Sequence, residues 1–297
     1  MHIGILKTDA VRPEWVPAFG EYPDMFERLV RGADSSARFT TWDVEAGIHP
    51  SEGEIDSVDG FIITGSKSSV YDDKSWIRDL EGLIQTLHAK RKKMVGICFG
   101  HQIIAKALGG LVSKSEKGWG VGINVYDLTD LPFEPADEAG MNKADTKRTA
   151  DSGQTHILEP QTLEHKTLEH KPLEHKTLEH KTLEHKTLEP QTLEHKTLEH
   201  KTLKLVASHQ DQVEALPPGA RTIATNAHCE NAGFVMGDHI FTLQGHPEFI
   251  PDYAEVIMAL RYDMIGAGRV AEGRASLEHH QHEGSRVAEW MVDFFNA

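Results

Sequence analysis

The sequence contains little cysteine, no long apolar run and a shortage of positive charge. Only two cysteines, Cys98 and Cys229, occur in 297 residues. They are too few and too far apart for the disulfide framework of a secreted domain, so we expect both to be reduced thiols. No apolar run approaches the roughly 20 residues that cross a bilayer, and the N-terminal residues lack the features of a signal peptide. We therefore expect a cytosolic protein without membrane contact.

The charge balance argues against one large class of partners. Lysine and arginine total 31 residues against 46 of aspartate and glutamate, which gives a formal net charge of -15. Binding to a phosphate backbone needs a basic face, so no nucleic-acid partner is expected. The hydrophobic fraction of 39% is sufficient for a globular core. A small-molecule substrate remains compatible with this composition.

A low-complexity repeat interrupts the chain. From about Leu158 to Leu203 the sequence L-E-H-K-T recurs with small variations. A five-residue period scatters the leucines around a helix and alternates faces on a strand, so neither structure gains a buried stripe. We predict a solvated, mainly disordered insertion over 128–203, with no metal site formed by its histidines. The remainder is expected to form one domain over 1–265, with a helical extension over 266–297 packed on it.

Outside the repeat, short strands alternate with helices. Apolar strands are predicted near the start of the chain, over 2–6, 38–44, 58–64 and 93–97. The helices between them favour a parallel sheet covered on both faces. After Gly110 strands dominate, including a hairpin with its turn at Gly237 and Asp238, before helices return. The predicted fold is therefore α/β, an open and mostly parallel sheet flanked by helices, with an added antiparallel β portion.

One cysteine lies between two glycines at a predicted strand end. In G-I-C-F-G, 96–100, Cys98 precedes a helix expected from about Phe99 to Leu108. This sequence at a strand-to-helix junction is typical of a nucleophile elbow, in which glycines permit a sharp turn that exposes the side chain. The N-terminus of the following helix favours the thiolate. A buried core cysteine is the alternative interpretation at this point.

The segment L-Q-G-H-P-E-F, 243–249, offers a base for such a thiol. His246 follows the last strand of the predicted hairpin, and Glu248 stands two residues on, across a proline that stiffens the turn. A carboxylate so placed can accept a hydrogen bond from the imidazole and fix its tautomer. Taken alone, a histidine in a surface loop is the alternative.

Together, GICFGHQ and GHPEF resemble the class I (triad) glutamine amidotransferases. The segment SHQDQV, 208–213, resembles the one that these domains use to hold the α-amino and α-carboxylate groups of glutamine, and TGSKSSVYDD, 64–73, occupies the place of their oxyanion loop. The resemblance covers about 1–127 and 204–265 and implies a flavodoxin-like core. Within the class, the chain is most similar to stand-alone proteins resembling the glutaminase domain of GMP synthetase and to plant γ-glutamyl peptidases.

The resemblance implies a role for each matching residue. It makes Cys98 the nucleophile, His246 the general base and then acid, and Glu248 the residue that orients His246. The implied reaction is hydrolysis of the glutamine side-chain amide through a γ-glutamyl thioester on Cys98, with no cofactor and no metal. The implied oxyanion donors are Phe99 and the turn at Gly65 and Ser66. The implied substrate-binding residues are Gln102, Ser208 and His209.

Four other features of the sequence have a structural and a functional interpretation. Many class members carry a Gly-Gly-Pro type oxyanion loop, whereas Lys67 follows Gly65 and Ser66 here. Lys67 and Asp72 could face the substrate or remain solvated. Cys229 lacks flanking glycines and is expected to be structural, and the histidine cluster over 278–282 is expected to be exposed surface rather than a metal site.

Three functions stay open at this stage. A glutaminase would pass ammonia to a separate synthetase subunit, because this sequence contains no recognisable nucleotide-binding portion. A γ-glutamyl peptidase or hydrolase would release another amine, for example from a glutathione conjugate. A non-catalytic binding protein on the same scaffold is the third alternative, and the apparently complete set of Cys98, His246 and Glu248 counts against it.

Overall fold

The computed structural model describes residues 1–129 and 201–297. The predicted disorder of the L-E-H-K-T repeat falls outside these residues. The strands on either side are β6, Gly120–Leu128, and β7, Thr202–His209. These two strands pair with each other in antiparallel register, Asp127 opposite Thr202. The end of the first described range and the start of the second therefore lie side by side on adjacent strands.

Eleven strands are present in the described ranges. They are β1 His2–Lys7, β2 Arg38–Asp43, β3 Gly60–Ile63, β4 Lys93–Ile97, β5 Leu111–Lys114, β6 Gly120–Leu128, β7 Thr202–His209, β8 Asp211–Ala215, β9 Ala220–Thr225, β10 Gly233–Met236 and β11 Ile240–Leu243. The helices of the same ranges are α1 Val16–Phe19, α2 Tyr22–Ala33, α3 Glu52–Ser57, α4 Ser75–Ala89, α5 Phe99–Ala107, α6 Pro251–Leu260, α7 Tyr262–Ile265, α8 Ala267–His279 and α9 Gly284–Asn296.

Nine of these strands form one mixed sheet. Its order is β2-β1-β3-β4-β11-β10-β9-β6-β7. The first five are mutually parallel, and from β11 onward neighbouring strands run antiparallel. The predicted mostly parallel α/β fold with an added antiparallel portion is thus confirmed. Strands β5 and β8 form a separate antiparallel pair, which the sequence analysis did not predict because both are short and polar.

The sheet is covered on both faces. Side chains alternate along a strand, so Val95 and Ile97 of β4 face one side and Met94 faces the other. The first side packs with α2 and α9, including Trp290 and Phe294, and the second packs with α4 and α5. The C-terminal helix α9 therefore contributes to the main core. No helix of the described ranges is long and apolar enough to cross a membrane.

Candidate active site

A strained turn presents Cys98 at the carboxyl end of β4. Its backbone has φ 53° and ψ -102°, a conformation that a residue with a side chain rarely adopts. The flanking glycines are required by close packing. A Cβ on Gly96 would lie 2.6 Å from the carbonyl oxygen of Gly100, and one on Gly100 would lie 2.2 Å from the carbonyl oxygen of Ile63. The geometry is that of a nucleophile elbow.

The helix α5 begins immediately after this turn. Phe99 is its first residue, so its N–H is among those that have no carbonyl partner within the helix. The thiol of Cys98 therefore lies at the positive end of a helix, where negative charge is stabilised. Its side chain is largely buried, with 6% of the residue exposed, and it contributes to the wall of a cavity.

Sheet order brings His246 to the same place. Strand β11 lies beside β4, and His246 follows it by three residues. The backbone N–H of His246 donates to the carbonyl oxygen of Val206, which fixes the loop against β7. The imidazole stacks on the ring of Phe249, with centroids 3.9 Å apart and planes within 5°. Its position is thereby restrained from two sides.

The imidazole is held between two acidic groups. Its Nδ1 lies 2.8 Å from Oε1 of Glu248, and its side chain hydrogen-bonds to Cys98. Burial by itself lowers the pKa of His246, but the negative charges of Glu248 and Cys98, with hydrogen bonds to both, raise it to about 10. The raised pKa keeps the imidazole of His246 protonated at neutral pH, so it can supply a proton to a leaving amine.

The turn after β3 completes this cluster. A Cβ on Gly65 would lie 2.9 Å from Cε1 of His246, too close for an unshifted structure, and 3.7 Å from Cβ of Cys98, an ordinary contact. Glycine therefore allows the turn to approach the imidazole this closely. The carbonyl oxygen of Gly65 accepts a hydrogen bond from the hydroxyl of Thr8 at 2.8 Å. Ser66 lines the cavity.

The cavity in front of Cys98 has a volume of 580 Å³. It is lined by five further residues that the sequence analysis singled out: Ser66, Lys67, Gln102, Ser208 and His209. His246 and Glu248 are buried, and a Cβ on Gly65 would meet both His246 and Cys98. The structure thus brings the catalytic, oxyanion and substrate-binding candidates to one edge of the sheet.

Hydrogen bonds hold Gln102 and Ser208 in place, and burial sets the charge of His209. Nε2 of Gln102 donates to the carbonyl oxygen of Asp211 at 2.8 Å and to Oε1 of Gln244 at 3.0 Å. The hydroxyl of Ser208 accepts from Arg261 at 2.9 Å. His209 is neutral at physiological pH because burial, followed by the charge of His228, lowers its pKa to about 3. His209 can therefore offer a hydrogen bond but no positive charge.

The sequence analysis missed several residues of this cavity. Asp9, which follows β1, is 3% exposed and bonds to the backbone N–H of Lys67. The position of Asp9 at a strand end was a usable signal. Trp119 and Arg261 contact each other, with the guanidinium 5.5 Å from the ring centroid, and no local pattern marks either as a cavity residue.

The structure also places Lys67, Asp72, Cys229 and the histidine cluster over 278–282. Lys67 lines the cavity and pairs with Asp9, whereas Asp72 pairs with Lys74 and lies outside the cavity lining. Cys229 is buried, and burial raises the pKa of its thiol to about 12. Within the histidine cluster, His282 is partly buried beside the loop that carries His246, with its Nε2 3.0 Å from the carbonyl oxygen of Pro247. The expectation of a wholly exposed cluster was therefore wrong at that residue.

The fold and this cluster define an α/β protein with a cysteine elbow, a histidine and a glutamate at one sheet edge. The model of the family described as glutamine amidotransferase class-I matches residues 27–258. The chain belongs to the class-I glutamine amidotransferase family, as its sequence predicted.

Three comparisons illustrate the relationship. γ-Glutamyl peptidase 3 of Arabidopsis thaliana is 28% identical over 211 residues, which are 70% of this chain and 63% of that protein. The match therefore spans less than two thirds of that relative. A glutamine-hydrolysing GMP synthase of Pyrobaculum aerophilum is 33% identical over 129 residues, 42% of this chain and 24% of the synthase. A crystal structure of a glutamine amidotransferase from Thermotoga maritima shares the fold, with a TM-score of 0.59, 15% identity and coverage of 99% and 96% of the two chains.

Proposed function

We propose that this chain hydrolyses a γ-glutamyl amide bond through a thioester on Cys98. The observation that carries the proposal is the Cys98, His246 and Glu248 cluster, in which a strained elbow, a helix N-terminus and a buried imidazole meet. Glutamine and γ-glutamyl peptides share the bond in question, so one site can cleave either. The difference between them lies in the amine that leaves.

The steps follow from the positions of the groups. The thiolate of Cys98 attacks the γ-carbonyl carbon, and the carbonyl oxygen becomes an oxyanion that accepts hydrogen bonds from Phe99 N–H and from the Gly65 and Ser66 turn. The C–N bond then breaks, and His246 gives its proton to the leaving amine. Water then attacks the thioester carbon while His246 takes a proton from that water. The C–S bond breaks, glutamate is released and the free thiol is regenerated with the proton that His246 returns. Glu248 keeps the imidazole oriented throughout.

The size of the cavity favours a γ-glutamyl peptide as substrate. Glutamine has only about ten non-hydrogen atoms, whereas 580 Å³ lies within the range of about 300–1,000 Å³ that accommodates drug-sized ligands. Several relatives are named γ-glutamyl peptidases. A glutaminase that feeds ammonia to a synthetase subunit is the second candidate, supported by the match to a GMP synthase.

The test compares two substrates and one variant. The intact chain and Cys98→Ala are incubated with L-glutamine or glutathione, and released ammonia, glutamate and dipeptide are quantified together with the intact protein mass. Cleavage of glutathione with a Cys98-dependent acyl adduct supports the peptidase, and ammonia from glutamine supports the glutaminase. Turnover that survives Cys98→Ala would contradict the mechanism, and absence of turnover and of an adduct in the intact chain would favour a binding protein.

A further inference from the structure

The oxyanion turn is held by two consecutive residues that follow a different strand. Thr8 and Asp9 follow β1, and the turn of Gly65, Ser66 and Lys67 follows β3, which pairs with β1 in parallel register. Because parallel neighbours present their carboxyl ends at one edge, the two segments lie side by side. The contacts of Thr8 and Asp9 with Gly65 and Lys67 cross between these segments.

Thr8 fixes the first peptide of the turn. Its hydroxyl donates to the carbonyl oxygen of Gly65 at 2.8 Å and lies 2.9 Å from the hydroxyl of Thr64. The carbonyl and N–H of a planar trans peptide point in opposite directions. The N–H of Ser66, which belongs to the same peptide as the Gly65 carbonyl, is therefore turned away from Thr8.

Asp9 fixes the second peptide. One carboxylate oxygen accepts the backbone N–H of Lys67 at 2.8 Å, and the other accepts the N–H of Ala10 at 2.8 Å and pairs with the ammonium of Lys67. Asp9 is 3% exposed, whereas the Lys67 side chain is 62% exposed. The backbone contact is therefore the protected one, and the ammonium balances the charge of a buried carboxylate.

We propose that Asp9 is a positioning residue that keeps the N–H of Ser66 in the orientation of an oxyanion donor. With the Gly65 carbonyl held by Thr8 and the Lys67 N–H held by Asp9, both peptides that flank Ser66 are fixed. Asp9 takes no part in proton transfer and does not act on the thiolate. The inference rests on the proposed hydrolysis, because it concerns a step in which an oxyanion forms.

The experiment separates oxyanion formation from thiolate reactivity. Acylation of Cys98 by a γ-glutamyl compound creates an oxyanion, whereas alkylation by iodoacetamide displaces iodide and creates none. Glutathione turnover and the rate of iodoacetamide alkylation are measured for the full chain and for Asp9→Ala and Asp9→Asn. Asp43→Ala is the matched control, because Asp43 also pairs with a lysine and accepts a backbone N–H, but it lies outside the cavity lining.

Asp9→Ala should lower kcat by about 30-fold or more. This is a smaller loss than the fall of about 100- to 1,000-fold that follows removal of an oxyanion donor itself. KM and the alkylation rate should stay within about threefold of those of the intact chain. Asp9→Asn keeps one oxygen acceptor, so its kcat should lie between that of the intact chain and that of Asp9→Ala. Asp43→Ala should retain full turnover. A kcat for Asp9→Ala within threefold of the intact chain, or a parallel fall in alkylation, would overturn the inference. An intact chain that is alkylated but never acylated would refute the proposed hydrolysis itself and the inference with it.

Discussion

Replacing Gly100 by alanine tests the packing that creates the elbow. Gly100 lies in the first turn of α5, where an added Cβ would lie 2.2 Å from the carbonyl oxygen and 2.9 Å from the carbonyl carbon of Ile63. Carbon and oxygen atoms normally approach no closer than about 3.3 Å. Both obstructing atoms belong to the backbone of β3, so they cannot rotate aside. The start of α5 must therefore move by about 1 Å.

The expected cost is large on the scale of single substitutions. Overpacking of a core typically costs about 1–3 kcal/mol, and we expect the upper end because the contact is with backbone. About 3 kcal/mol corresponds to a fall in Tm of about 6–12 °C for a domain of this size. Since Cys98 precedes that first turn, alkylation by iodoacetamide should slow as well. Thermal unfolding followed by circular dichroism and the alkylation rate are the two assays.

The same substitution at Gly82 is the control. Gly82 is exposed within α4, and an added Cβ would meet no atom within 4 Å. Alanine favours a helix over glycine by about 1 kcal/mol, so Gly82→Ala should raise the Tm by about 2–4 °C. A Gly100→Ala chain that unfolds at or above the Tm of the intact chain, with unchanged alkylation, would refute the packing argument.

Three further predictions address charge, the second thiol and the repeat. The raised pKa of His246, about 10, means that its positive charge stabilises the fold below about pH 6.5 and that this contribution is lost as pH rises towards 10. Glu248→Gln should therefore reduce the free energy of unfolding more at about pH 6.5 than at about pH 10.5 in urea titrations, and an equal loss at both would contradict this. Cys229 should escape iodoacetamide at neutral pH, because burial raises the pKa of its thiol to about 12; peptide mapping that finds both thiols modified in folded protein would disprove it. Replacing 130–200 by Asn-Gly should leave the Tm and the alkylation rate of Cys98 unchanged. The reason is that Leu128 N–H donates to the Lys201 carbonyl oxygen at 2.7 Å, so a short hairpin loop can join the two strands. Aggregation of the shortened chain would contradict this prediction.

Local patterns determined much of this fold. The apolar strand segments were readable because successive side chains of a strand face opposite sides of the sheet at fixed intervals. The elbow was also readable from local sequence, because Gly96, Cys98 and Gly100 lie within five residues and form one turn. The backbone of Cys98 has the strained conformation that such a turn needs. The family, confirmed by the match over 27–258, followed from motifs of this kind.

Only the tertiary structure decided how distant segments meet. His246 stands beside Cys98 because β11 inserts next to β4, an order that hydrophobic periodicity does not specify. Asp9 reaches Lys67 because β1 and β3 are neighbours, and Ser208 receives a hydrogen bond from Arg261 across the cavity. The sequence by itself determined the elements and the reactive residue types. Strand order determined which of those residues share a site, because contacts between remote segments depend on packing energies summed over the whole sheet.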